Sequence, residues 1–180
     1  MNIRFCTNCG HSVEKRIPNG DDRARYVCPS CGNIHYQNPK LVVGCIPEYE
    51  GQILLCKRDI EPRRGKWTLP AGFLENKETV REGALRETYE ETLARVKIIA
   101  PYRLFDLAFV SQVYLMFRAR ILSPEFGTTP ESSEVVLVHE KAVPWNDIAF
   151  PVIQKTLQHY FRDRMNGQFE FQSLELSEAP

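Results

Sequence analysis

Apolar and polar positions divide the chain into two textures. Residues 1 to 38 are polar, carry cysteines, and are rich in turn formers such as Pro18-Asn19-Gly20-Asp21. Such a segment cannot fill a core alone and needs a staple. Gln37-Asn38-Pro39 marks the seam, because a residue before proline is pushed to extended geometry. Beyond it, the pattern alternates between strand and helix periods. Leu41 to Ile46 and Gln52 to Cys56 predict a hairpin with Glu48 to Gly51 at its turn. Thr79 to about Leu93 predicts a helix, Val113 to Ile121 a strand, and Glu134 to His139 another. Ile148, Val152, Ile153, Leu157 and Tyr160 or Phe161 recur at helical spacing, so Ile148 to Arg164 predicts an amphipathic helix. No element is predicted between Ala94 and Val113. Phe169, Phe171, Leu174 and Leu176 alternate imperfectly, which leaves an added strand or a disordered tail open.

Composition narrows the class. The chain has 180 residues, 43% apolar and 26% charged, as is ordinary for a globular protein. Lysine plus arginine and aspartate plus glutamate each number 23, so nothing suggests a nucleic-acid or membrane-surface binder. No apolar run approaches a membrane span, and Met1 to Gly10 lacks the layout of a secretory signal. The expectation is a cytoplasmic protein, with an organelle interior as the alternative.

Cys6-x-x-Cys9 and Cys28-x-x-Cys31 are separated by 18 residues. Two such knuckles turn four thiolates toward one point and predict a closed, structural zinc site. Gly10 and Gly32 follow the second cysteine of each pair and let the backbone curl with its amides toward sulfur. The alternative is a pair of disulfides, disfavoured where no secretion signal precedes them. His11 is a substitute ligand that four cysteines do not need. His35, His139 and His159 read as surface or packed histidines. Cys45 and Cys56 read as buried hydrophobes.

The most informative stretch runs from Gly72 to Ala94. Thr79 and Glu82 form a capping-box pattern at the helix start. Glu87 and Glu91 then lie about 40° apart on the helix, with Glu90 flanking them. Three carboxylates on one side of a helix repel unless a cation sits among them. Oxygen ligands on a rigid helix suit Mg²⁺ or Mn²⁺. A solvated acidic face balanced by Arg81 and Arg86 is the alternative.

Gly72, Glu78, Arg86, Glu87, Glu90 and Glu91 all fall on the spacing G-x5-E-x7-R-E-U-x-E-E-x-G-U, in which U is a bulky aliphatic residue. The segment therefore resembles the Nudix box. Leu93 departs from its glycine and Thr88 from an aliphatic position. A left-handed helix exit costs leucine on the order of 1 kcal/mol and leaves the carboxylates untouched. Trp67-Thr-Leu-Pro-Ala-Gly72 resembles the family's lead-in loop, Leu55-Cys-Lys-Arg58 its second strand, and Val143-Pro-Trp-Asn-Asp-Ile148 its late acidic-apolar segment. The cysteine-bearing start and Tyr36-Gln-Asn-Pro39 resemble a subgroup that includes bacterial NADH pyrophosphatases and plant FAD and ADP-ribose pyrophosphatases.

The resemblance implies an α/β fold: an α/β/α sandwich with a mixed sheet, preceded by a zinc ribbon. The ribbon would span 1–38, the hydrolase domain 39–165 and a C-terminal tail 166–180. It implies a Mg²⁺- or Mn²⁺-dependent pyrophosphohydrolase with Glu87, Glu90 and Glu91 as metal ligands and Arg86 orienting them. Structural Zn²⁺ would sit on Cys6, Cys9, Cys28 and Cys31. Glu78 reads as helix-start support or a partner of Arg86, with direct metal contact as the lesser alternative. Family members often add a glutamate from a later loop, and Glu134 is the candidate for that ligand or base. Phe73, Tyr102, Phe105 and Tyr114 are candidates to stack on adenine or flavin, each with a core role as the alternative. The NADH enzymes carry SQPWPFPxS after the box, whereas Pro101 to Tyr114 lacks it and resembles the plant FAD enzyme. FAD or ADP-ribose, cleaved with release of AMP, is thus the expected substrate. The alternatives are an NADH pyrophosphatase or a non-catalytic nucleotide-sensing regulator. Residues 1–40 carry an excess of three positive charges, which is weak for nucleic acid. The ribbon reads best as a dimerisation or lid element, which allows a homodimer.

Overall fold

In the computed structural model, which describes residues 2–177, the chain forms two compact units, 1–38 and 39–180. The smaller unit holds β1 (Glu14–Arg16), β2 (Arg25–Val27) and β3 (Ile34–His35) in one antiparallel sheet of order β1-β2-β3. Cys6 and Cys28 are buried beside Val27, while Cys9 and Cys31 are exposed. A module this small has little apolar surface to bury, so its order depends on what the cysteines hold.

The larger unit is a mixed sheet with a helix on each face. Its strands are β4 (Lys40–Tyr49), β5 (Gln52–Arg58), β6 (Trp67–Thr68), β7 (Ala71–Phe73), β8 (Val96–Leu107), β9 (Gln112–Ile121), β10 (Ser132–Val138) and β11 (Gln172–Glu175). The main order is β10-β5-β4-β9-β8-β11, with β6 on β5 and β7 on β4. The β4–β9 and β8–β11 pairs are parallel; the others are antiparallel. Helix α1 runs over Val80–Thr92 and α2 over Pro151–Asn166. Alternation along the strands supplies both faces. Ile46, Ile53, Leu55 and Met116 pack with Val152, Ile153, Leu157 and Phe161 of α2. Val43, Cys45 and Phe117 pack with Ala84 of α1, and Leu54 with Ala94 just beyond it.

The structure adjusts several elements expected from the pattern. Helix α2 starts at Pro151, not Ile148: Phe150 before the proline is extended and caps the helix, and Trp145–Asp147 forms a separate 3₁₀ turn. The twelve-residue β8 was not expected at all. Its alternation is broken by register shifts at Ile98/Ala100 and Pro101/Arg103, and by a buried arginine. That residue, Arg103, is ion-paired with Asp163 of α2 and donates to the carbonyls of Tyr102 and Glu170. The tail is a strand: β11 pairs with Arg103 to Asp106, and Phe169 packs on Tyr102 and Tyr160. Among the described residues, no helix is long and apolar enough to cross a membrane.

Candidate active site and metal centres

The four cysteines converge. Their sulfurs all lie within 4.8 Å of one another, with Cys6–Cys31 at 3.6 Å and Cys9–Cys28 at 3.5 Å. A tetrahedron with Zn–S near 2.3 Å has sulfur–sulfur edges of ~3.8 Å, whereas a disulfide bond is ~2.05 Å. The spacing fits a shared metal and is longer than a disulfide bond. The amide of Asn8 points to Cys6 Sγ at 3.4 Å. The amide of Asn33, then Cys9, lower the Cys31 thiol to about 6. Gly10 and Gly32 adopt φ of +76° and +75°, so the knuckles use the left-handed turn that glycine permits. His11 turns back to the Cys9 carbonyl and is not needed as a ligand. The donor set is closed and all sulfur, which suits structural zinc.

The second centre is built by three consecutive residues of β7 meeting three residues of α1. Ala71 donates its amide to Glu91 Oε2 at 3.1 Å. Gly72 lies under the Glu87 carboxylate, and a Cβ there would stand 2.2 Å from Oε2. The Phe73 carbonyl accepts from Arg86 Nη2 at 3.1 Å. The helix is set in register by its cap, since Thr79 Oγ1 accepts from the Glu82 amide and Glu82 accepts from the Thr79 amide. Thr88, at a position where the box has an aliphatic residue, is fully buried, and its hydroxyl is satisfied by the Ala84 carbonyl at 2.7 Å. Leu93 ends the helix at φ 58°, taking the left-handed exit that its lack of glycine made costly.

Arg86 is saturated. It grips Glu78 with Nε and Nη2 at 3.0 and 2.7 Å, and its Nη1 bridges Glu87 at 2.7 Å and Glu90 at 2.9 Å. Its guanidinium holds Glu78 down to about 2. The other carboxylates move the opposite way. Burial raises Glu87, against the pull of Arg86, and burial lifts Glu91, only 5% exposed, to about 7. Glu91 has little to offset its burial: the Ala71 amide, the charge of Arg58 and, at 3.7 Å, the thiol of Cys56. Among the described residues only the cysteines already converge as a ligand cluster; on α1 the guanidinium lies between Glu87 and Glu90 instead. The carboxylate oxygens, the charge deficit at Glu91 and the cradle at Gly72 fit a hard divalent cation.

The remaining expected residues fall in different places. Glu134 sits in β10, more than half exposed, and is ion-paired to Lys57 at 2.5 Å. Glu131, three residues earlier and not singled out from the sequence, is a second acid of the same segment, exposed and with its carbonyl accepting from the Asp59 amide at 2.8 Å. Tyr102 and Phe105 are core residues, and Tyr114 packs against the same cluster. Phe73 is exposed under the ammonium of Lys40, 4.6 Å from its ring. Cys45 and Cys56 are buried as expected, and the Cys56 contact to Glu91 is a further role that its apolar neighbours conceal.

Family models decide the class. Residues 4–37 match the zinc-ribbon model described as Nudix N-terminal, and residues 38–163, most of the chain, match the NUDIX domain. The chain belongs to the Nudix family. It is similar to a NUDIX hydrolase from Nitrosomonas europaea, with 53% identity and a TM-score of 0.94 over 98% of this chain and 100% of that one. It is 30% identical over 172 residues to the NAD-capped RNA hydrolase NudC of Vibrio parahaemolyticus, covering 91% of this Nudix chain and 63% of that protein. It is 46% identical over 57 residues to the ADP-ribose pyrophosphatase of Methanocaldococcus jannaschii, covering 32% of this chain and 34% of that one. The chain thus spans less than two thirds of either relative.

Proposed function

We infer that this Nudix hydrolase cleaves the pyrophosphate bond of ADP joined to a second group, releasing AMP, with FAD or ADP-ribose as the substrate. The observation that carries the reading is the meeting of Ala71, Gly72 and Phe73 with Glu91, Glu87 and Arg86. It holds crowded carboxylates beside a strand that leaves no side chain above Glu87. Glu87, Glu90 and Glu91 would hold Mg²⁺ or Mn²⁺. Such a cation offsets the charge of a diphosphate and supplies a more acidic water. In the reaction one water oxygen joins the attacked phosphorus, and the bridging oxygen departs with the other phosphate. Two monophosphates result.

Within that scheme Arg86 orients Glu87 and Glu90 and is itself anchored by Glu78. Glu134 is the candidate for the later-loop acid, in an ion pair with Lys57 that substrate or metal would have to displace, and Glu131 is a second candidate three residues earlier. The substrate preference rests on the sequence after the box, where Asp106 to Tyr114 replaces the NADH-type run. A second reading, cleavage of NADH or of an NAD-capped end, is favoured by the similarity to the Vibrio protein. The ribbon serves as a dimerisation or lid element in either case. The test is kcat/KM for FAD, ADP-ribose and NADH under one Mg²⁺ condition. FAD or ADP-ribose should lead. A tenfold preference for NADH would select the second reading, and exclusive action on nucleoside triphosphates would remove both.

A further inference from the structure

Glu91 is the most buried of the three carboxylates on α1, since Glu87 is half-buried and Glu90 exposed. Arg86 Nη1 holds Glu87 and Glu90 but makes no bond to Glu91 among the described residues. What holds Glu91 comes from the strands. The Ala71 amide of β7 donates to Oε2 at 3.1 Å, and the Cys56 sulfur of β5 lies 3.7 Å from the same oxygen. Oε1 accepts from no group among the described residues. Nor is it sealed, because the buried side-chain nitrogens and oxygens left without a partner there are Arg103 Nε and Arg118 Nε. Two donors therefore meet on one oxygen of Glu91, while the other keeps contact with solvent.

Cys56 is 1% exposed, and its thiol has two acceptors at 3.7 Å, the Thr68 carbonyl and Glu91 Oε2. A charged acceptor draws a shared donor more strongly than a neutral one, so the proton is directed to Glu91. On its other side the sulfur is hydrogen-bonded by the hydroxyl of Ser132, a buried residue of β10. Ser132, Cys56, Glu91 and Ala71 thus form one hydrogen-bonded chain that joins β10, β5, α1 and β7. Burial, and then the charge of Glu91, push the thiol well above its ordinary range, so it stays a donor at neutral pH. Cys45 makes the contrast. It is equally buried on the neighbouring strand β4, but its thiol donates to the Ala84 carbonyl at 3.5 Å and reaches no carboxylate.

We propose that Cys56 is a positioning residue for the metal site: its thiol and the Ala71 amide together hold Glu91 Oε2 and leave Oε1 to face the divalent cation. A neutral S–H suits this task, because it fixes a carboxylate without cancelling the charge that the cation needs. A guanidinium in its place, like the one on Glu87, would compete with the metal. Groups that orient a ligand in this way are worth about tenfold to a hundredfold in metal affinity. The inference rests on Glu91 as a ligand of the cation and deepens that reading.

The test is Mn²⁺ affinity without nucleotide, read from the electron paramagnetic resonance of free Mn²⁺. Cys56→Ala removes the donor, and Cys56→Val removes it while filling the space, which covers the case that alanine folds poorly. Both should bind Mn²⁺ roughly tenfold more weakly than wild type. Cys56→Ser keeps a donor on a shorter bond and should bind about threefold or more tighter than Cys56→Ala. Cys45→Ala opens an equally buried position against α1 and should stay within about threefold of wild type. In a Glu91→Ala background, Cys56→Ala should cause no further loss, since the thiol acts through that carboxylate. Donor-free variants within threefold of wild type would mean that the thiol positions nothing. Equal weakening in Cys45→Ala, no recovery in Cys56→Ser, or the same tenfold loss in the Glu91→Ala background would mean that Cys56 only supports the core. Any of these overturns the assignment. Equal Mn²⁺ affinity in wild type and Glu91→Ala would instead overturn the ligand reading beneath it.

Discussion

The α-carbon of Gly72 lies against the carboxylate of Glu87, so that a methyl group at residue 72 would meet Oε2 at 2.2 Å and Cδ at 2.3 Å. The clash is with the end of a flexible side chain, so its cost falls on where the carboxylate can sit and not on the fold. Gly72→Ala should keep its circular dichroism spectrum and its melting temperature within a few degrees. Its kcat/KM should fall about a hundredfold, the scale of a misplaced group in a preorganised site. An alanine variant within threefold of wild type would show that the position of Glu87 is unimportant.

The pH dependence of stability has a definite sign. Glu91 in the folded protein titrates at about 7, against an ordinary 4.5, because it is buried. The folded state therefore holds this proton more tightly than the unfolded state does. Stability of the Mg²⁺-free protein should fall as pH rises from 4.5 to 7 and level off above, by on the order of 3 kcal/mol from this group. Urea denaturation of wild type and Glu91→Gln at pH 5.5 and 8 isolates the effect, since other titrating groups are common to both. Identical pH differences in the two proteins would refute it. Added Mg²⁺ at pH 8 should restore stability to wild type and leave Glu91→Gln unchanged.

Much of this candidate site could be read from spacing because its candidate ligands lie within one helix. Helical geometry alone brings Glu87, Glu90 and Glu91 to one side, and the Thr79–Glu82 cap sets where the turn begins. The four cysteines were legible for the same reason, two short knuckles that each close locally. What escaped depends on pairing between distant segments. Glu134 sits beside a register shift of β10, and its ion pair with Lys57 of β5 forms only once those two strands are paired. Arg103 breaks the alternation of β8, and its burial makes sense only once Asp163 and the Glu170 carbonyl are opposite it. The tail looked ambiguous because β11 is short and gains its order from β8 and from Phe169.

The ribbon should contain one zinc per chain. With sulfurs 3.5 to 3.6 Å apart across the knuckles and little apolar core, order in residues 2–37 depends on the metal. Elemental analysis should give one equivalent, and Cys28→Ser should lower it and open residues 2–37 to proteolysis. Two disulfides and no zinc would overturn the assignment.

The central claim is that the carboxylates of α1 hold the divalent cation that hydrolysis needs. Glu91→Gln keeps the shape of the side chain and removes its charge, so it tests that claim with least disturbance of the fold. The decisive measurement is ADP-ribose and FAD hydrolysis across a Mg²⁺ titration for wild type and Glu91→Gln, alongside Mn²⁺ binding to each. Wild type should be inactive without the cation and saturate with it, while the variant should bind Mn²⁺ more weakly and lose well over a hundredfold in rate, several kcal/mol of transition-state stabilisation. A variant with near-normal rate and unchanged Mn²⁺ affinity would mean that α1 presents only an acidic face.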